Sequence, residues 1–108
     1  MAEAILVMVT CGSSAEAERI SNQLIEEKLV ACVNIAGRIR SLFRWKGAAA
    51  RESESLLLMK TRAELFDTLR ERIEELHSYE TPEVVAFPIV AGSPAYLEWI
   101  RESTERDD

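Results

Sequence analysis

Hydrophobic positions along the chain change period several times, and each change marks an element boundary. Residues 4–10 (AILVMVT) are an almost unbroken apolar, β-branched run, the pattern of a strand buried on both faces. Cys11, Gly12 and Ser13 break it. Ser13 with Glu16 forms a capping-box pair, and Ala17, Ile20, Leu24 and Ile25 then recur at helical spacing. This predicts a helix over 14–28 that closes on Lys28, where a cation suits the helix dipole. Residues 30–35 return to strand character, and Ala36-Gly37 predicts a bulge or bend. Residues 38–46 alternate, with Ile39, Ser41, Phe43 and Trp45 on one face and Arg38, Arg40, Leu42, Arg44 and Lys46 on the other. Lys46, Gly47 and the three alanines that follow predict a hairpin tip, with 54–61 as the returning strand. Thr61 with Glu64 predicts a second capping box, opening a helix that turns Leu65, Phe66, Leu69, Ile73 and Leu76 inward. The loop 77–82 ends it, because residues before a proline avoid helical geometry. Residues 84–90 predict a last strand with Pro88 near an edge or exit. Ser93 and Pro94 then predict the cap and first position of a terminal helix through Tyr96, Trp99 and Ile100.

The order β-α-β-β-α-β plus a C-terminal helix predicts an α+β, ferredoxin-like plait: an antiparallel sheet in the order 4-1-3-2, both crossover helices on one face. Its second strand, from Val30 to Trp45, would reach about 50 Å if extended, whereas a small domain is about 30 Å across. A hairpin arm must therefore project past the other strands. Such an arm either folds back on its own sheet or adds to a neighbouring copy. Exposed edges carrying Leu42, Phe43 and Trp45 favour the second outcome, a symmetric oligomer.

With 108 residues, the chain predicts one domain spanning 1–108. Its 47% hydrophobic and 30% charged content suits a packed core rather than disorder. Nineteen acidic against 13 basic residues give a net charge of −6, which argues against nucleic acid or a polybasic membrane anchor as partner. Residues 1–3 (MAE) lack the positive segment of a leader, no run is long enough to span a bilayer, and two cysteines make no disulfide framework. These features together predict a cytoplasmic protein.

Four strings in register resemble the CutA divalent-cation tolerance family. EKLVACVNI (27–35) is similar to the family's E-K/R-L-A-A-C-V-N. SLFRWKG (41–47), followed by Glu54 and by Lys60-Thr61, resembles S-I-Y-x-W-x-G, E and K-T. HSYETPE (77–83) resembles H-P-Y-E-x-P-E, and Tyr96-Leu97-Glu98-Trp99 resembles Y-L-x-W. The resemblance implies a homotrimer, built like the PII signalling proteins, whose hairpins cross between protomers. It implies a non-enzymatic role in tolerance of copper and other divalent metals, and no obligatory cofactor. Val30, Phe43 and Ser78 depart from the pattern, standing where the family has Ala, Tyr and Pro. Phe43 removes a hydroxyl, and Ser78 is expected to loosen the loop that pins His77.

Soft thiolate and imidazole donors suit copper and zinc. The resemblance places a metal at Cys11 and His77, but Leu76 stands where the family has a second histidine. A complete site then requires a carboxylate, water or a ligand from another protomer. The plain alternatives are a small buried residue for Cys11 and a helix-capping imidazole for His77. Cys32 reads as a buried apolar residue or a cleft thiol, and a bridge to Cys11 is disfavoured because the third strand separates the two. Glu54 and Lys60, six apart, project from one strand face. They are either solvated strand ends or, following the family, part of an inter-subunit cleft with Cys32, Tyr79 and Glu83 that holds a metal or small ligand. Lys60 is also expected to precede a helix start directly, a favourable place for anions. Phe43, Trp45, Tyr96 and Trp99 read as interface anchors. No catalytic motif is present, and the protein partner beyond other copies of the chain is unspecified.

Overall fold

A computed structural model describes residues 3–106; the leader reading at Met1 and Ala2, and the last two residues of the 1–108 span, lie outside it. The elements run β1 (Ala4–Cys11), α1 (Ser14–Glu26), β2 (Cys32–Trp45), β3 (Ala48–Arg62), a 3-10 turn (Ala63–Leu65), α2 (Phe66–Leu76), β4 (Val84–Pro88) and α3 (Pro94–Ser103). The four strands form one antiparallel sheet ordered β2-β3-β1-β4, the arrangement expected of the plait. No helix among the described residues is long and apolar enough to cross a membrane.

Alternation along the central strands sorts the core. Ile5, Val7, Val9 and Cys11 of β1 and Leu57 and Met59 of β3 pack beneath Ala17, Ile20 and Leu24 of α1 and Leu69 and Ile73 of α2. The intervening residues face away from that layer, and on β4 Val85 and Phe87 stay exposed. α3 packs against β3 and β1, buries Ile100, and is fastened by the Arg62 guanidinium donating to Thr104 Oγ1 at 2.8 Å and Thr104 O at 2.7 Å.

The arm projects as its length requires. β1 stops opposite Ser55, yet β2 and β3 stay paired from Ile39–Glu54 to Trp45–Ala48. The long axis is 43 Å against 27 and 22 Å. The expected bulge falls between Ala36 and Ile39, where Arg38 rather than Gly37 takes the positive φ of 63°. The turn is tighter than expected. Lys46 (φ 50°) and Gly47 (φ 82°) make a two-residue hairpin connection, and Ala48, Ala49 and Ala50 already belong to β3.

Two helix boundaries are corrected. α1 ends at Glu26; Lys28 sits past it with φ 59°, while Leu29 N–H donates to Leu24 O and Lys28 N–H to Ile25 O. That is the Schellman pattern, so Lys28 serves backbone geometry rather than the last helical turn. Thr61 caps nothing. It lies in β3, fully buried, and its Oγ1 donates to Leu29 O at 2.7 Å; α2 starts only at Phe66, without a side-chain cap. β4 is also shorter than expected, ending at Pro88.

Candidate functional site

The end of β1, the first turn of α1 and the loop after α2 converge at Cys11, Glu16 and His77. Cys11 is the last residue of β1 and has no exposed surface. The chain then turns through Gly12, where a Cβ would come 3.2 Å from the Tyr79 hydroxyl, so glycine lets that ring pack close. Ser13 Oγ accepts the Glu16 N–H at 3.1 Å, the capping bond expected from the sequence. The Glu16 carboxylate does not complete the box. It turns to the neighbouring loop and accepts the Ser78 N–H at 2.8 Å. Ser78 therefore ties the loop down instead of loosening it. A proline there would have no N–H to give.

His77 follows α2, and its side chain is buried. Its Nδ1 accepts the Tyr79 N–H at 3.0 Å, so the ring proton resides on Nε2, which donates to Thr10 O at 2.7 Å. One donor atom each from Cys11, Glu16 and His77 lies within 4.8 Å of the others, and Glu16 Oε2 is 3.9 Å from His77 Nδ1. The electrostatics are those of a site with surplus negative charge. Burial, then the Glu16 and Glu54 carboxylates, push the Cys11 thiol up to about 12. For Glu16 itself burial acts upward, but the bonds from Ser78 outweigh it and hold the carboxyl below its usual range.

Thiol, imidazole and carboxylate are a donor set that zinc and copper accept. An imidazole whose second nitrogen donates to a backbone carbonyl is oriented as metal-bound histidines are. Around a tetrahedral zinc, donor atoms sit about 3.3–3.8 Å apart, given bond lengths of about 2.0–2.3 Å. The donor set therefore fits a divalent ion after a contraction on the order of 1 Å.

The remaining residues of the expected cleft fall into two places. Glu54, Tyr79 and Glu83 line one open groove of about 1200 Å³ between the arm and the loop 79–83, which also takes in Phe43 and Trp45. Glu54 is buried there and accepts the Tyr79 hydroxyl at 2.8 Å. Burial, then that bond, raises the Tyr79 phenol. Cys32 and Lys60 are not in this groove. They face one another across the β2–β3 ladder, with Lys60 Nζ 4.0 Å from Cys32 Sγ and bonded to Asn34 Oδ1. Cys32 is half-buried and unbridged, as is Cys11. Lys60 is within β3 and precedes no helix, which removes the reading of an anion site at a helix start. Tyr96 lies close enough to Cys32 for burial, then that thiol, to raise its phenol. Its ring packs at 5.4 Å against Trp99, and both stay partly exposed. Sequence reasoning took Glu16 for a cap alone. The cue for more was its place at the third helical position, five residues after Cys11 on the far side of a tight turn.

Comparison with known proteins identifies the same pattern. Residues 5–103 match the model of the CutA1 divalent ion tolerance protein family. A divalent-cation tolerance protein CutA of Thermus thermophilus is 44% identical over 99 residues, covering 92% of this chain and 96% of that protein. The chloroplastic protein CutA of Arabidopsis thaliana is 43% identical over 100 residues; these cover 93% of this chain but 55% of the plant protein. The solved structure of a protein described as the periplasmic divalent cation tolerance protein CutA of Archaeoglobus fulgidus superposes with a TM-score of 0.91. It is 41% identical and covers 94% of this chain and 99% of its own.

Proposed function

The chain belongs to the CutA1 divalent ion tolerance family, and on that premise we propose that it serves tolerance of, or response to, divalent metal ions, copper among them, by weak binding. The observation that supports this reading is the gathering of Cys11, Glu16 and His77 within 4.8 Å. Binding is weak in this proposal because a cation has two competitors. It must displace the proton of a thiol pushed up to about 12, and the Tyr79 N–H that occupies His77 Nδ1. We assign no reaction, since burial and the Glu16 and Glu54 carboxylates keep the Cys11 thiol protonated, pushing it up to about 12. The working form is a homotrimer in which each arm pairs with a neighbour, and a second protomer closes the groove at Phe43, Trp45, Glu54, Tyr79 and Glu83 into a cleft for a metal or small ligand. Two free thiols suit a reducing cytoplasm.

A second reading, a PII-like scaffold that presents a trimeric surface to a protein partner, is favoured by one observation: both His77 ring nitrogens already have backbone partners. Titration calorimetry separates the two. Cu(II) and Zn(II) added to the wild type should give heats that are lost in a Cys11→Ser, His77→Ala variant. Equal heats for both proteins remove the metal reading and leave the scaffold.

A further inference from the structure

We infer that Glu16 is the third protein ligand of this metal site, and that the Ser78 N–H is its built-in competitor. The inference rests on the metal reading above and adds two residues to it. The chain has a single histidine, so Cys11 and His77 alone leave a divalent ion short of the three or four protein donors that zinc sites use. Glu16 supplies what is missing. Its carboxylate is mostly buried, its Oε2 lies 3.9 Å from His77 Nδ1, and it is the only other side chain that joins the Cys11–His77 cluster among the described residues. The nearest cation on its own helix, Arg19 Nη2, stays 3.6 Å away and donates instead to Leu76 O at 3.3 Å.

The same oxygen accepts the Ser78 N–H at 2.8 Å. Adjacent to it, the Tyr79 N–H occupies Nδ1. The one lone pair of His77 Nδ1 serves the Tyr79 N–H or a cation but not both, while at Glu16 the Ser78 N–H competes with a cation for the charge of Oε2. Metal capture therefore releases the Tyr79 amide and weakens the hold on Ser78, loosening the stretch that leads into the groove through Tyr79–Glu83. A proline at position 78 would remove the first competitor outright. The backbone of His77 (φ −81°, ψ 142°) is already the extended geometry that precedes a proline.

Zn(II) alone is the probe, titrated against a chromophoric chelator into wild type, Glu16→Gln and Ser78→Pro. Gln keeps an acceptor for the Ser78 N–H but loses the anionic ligand, and should weaken binding about tenfold. Ser78→Pro should tighten it about tenfold, a gain that misfolding cannot produce. In the wild type, saturating Zn(II) should speed hydrogen exchange at the Ser78 and Tyr79 amides. Wild-type affinity in both variants, or unchanged exchange, overturns this inference. If Cys11→Ser, His77→Ala still abolishes binding in that case, the metal reading survives alone. A wild type that binds no Zn(II) overturns both.

Discussion

The Tyr79 hydroxyl donates to the buried Glu54 carboxylate across 2.8 Å, joining the loop after α2 to β3 one residue beyond the end of β1. Removing the hydroxyl leaves a buried carboxylate oxygen short of a donor, a loss of about 1–3 kcal/mol. Tyr79→Phe should therefore lower the urea midpoint with the slope unchanged. Glu54→Gln, which keeps an acceptor, should cost less. Equal midpoints for wild type and Tyr79→Phe would show that the bond carries no stability.

The Cys11 thiol, raised by burial and then by Glu16 and Glu54, stays protonated in the fold to about pH 12, whereas in the unfolded chain it ionises near 9. Between those values the unfolded state holds fewer protons, so stability falls as pH rises, by at most about 1.4 kcal/mol per pH unit from this group. Below pH 9 the contribution is fully present. Denaturation followed from pH 8 to 11 should show this decline in the wild type and a shallower one in Cys11→Ala. Parallel curves would mean that Cys11 is not the group responsible.

Lys28 holds φ at 59°, a conformation costing a residue with a Cβ roughly 1 kcal/mol. It caps α1 as glycine commonly does, and its side chain has no helical turn to serve. Lys28→Gly should raise the thermal midpoint by a few degrees. A lower midpoint would show that the lysine side chain matters more than the backbone strain.

The plait, its strand order and the projecting arm were legible because period-two and helical spacing are imposed by burial, which acts on every residue of an element. The misread positions are those where one side chain had two possible backbone partners. Thr61 precedes Glu64 at capping distance, yet its hydroxyl serves Leu29 O, thirty-two residues away. Glu16 was legible as a cap through its N–H, but its carboxylate bonds to Ser78, sixty-two residues away. Cys11 and His77 were named from the family pattern, while their convergence on Glu16 depends on how α2 docks beside β1, which no local spacing encodes. Within one chain Cys32 and Lys60 lie apart from Glu54 for a simple reason: six strand residues span about 20 Å.

The arm supplies the last test. Leu42, Phe43 and Trp45 remain 68%, 41% and 42% exposed on strands that extend past β1, and Val85 and Phe87 of β4 stay exposed as well. Long, exposed, apolar edges of this kind are normally satisfied by pairing with another chain. A chain of 12.2 kDa should then scatter light as a particle three times that mass at micromolar concentration. Charges placed on the arm by Phe43→Glu, Trp45→Glu should break the assembly to single chains without disturbing the Cys11–Glu16–His77 cluster, since neither residue touches it. Far-ultraviolet circular dichroism would separate dissociation from unfolding. A wild type that scatters at the mass of one chain, with its arm protected from proteolysis, would instead mean that the arm folds against its own sheet, and the shared groove would lose its basis.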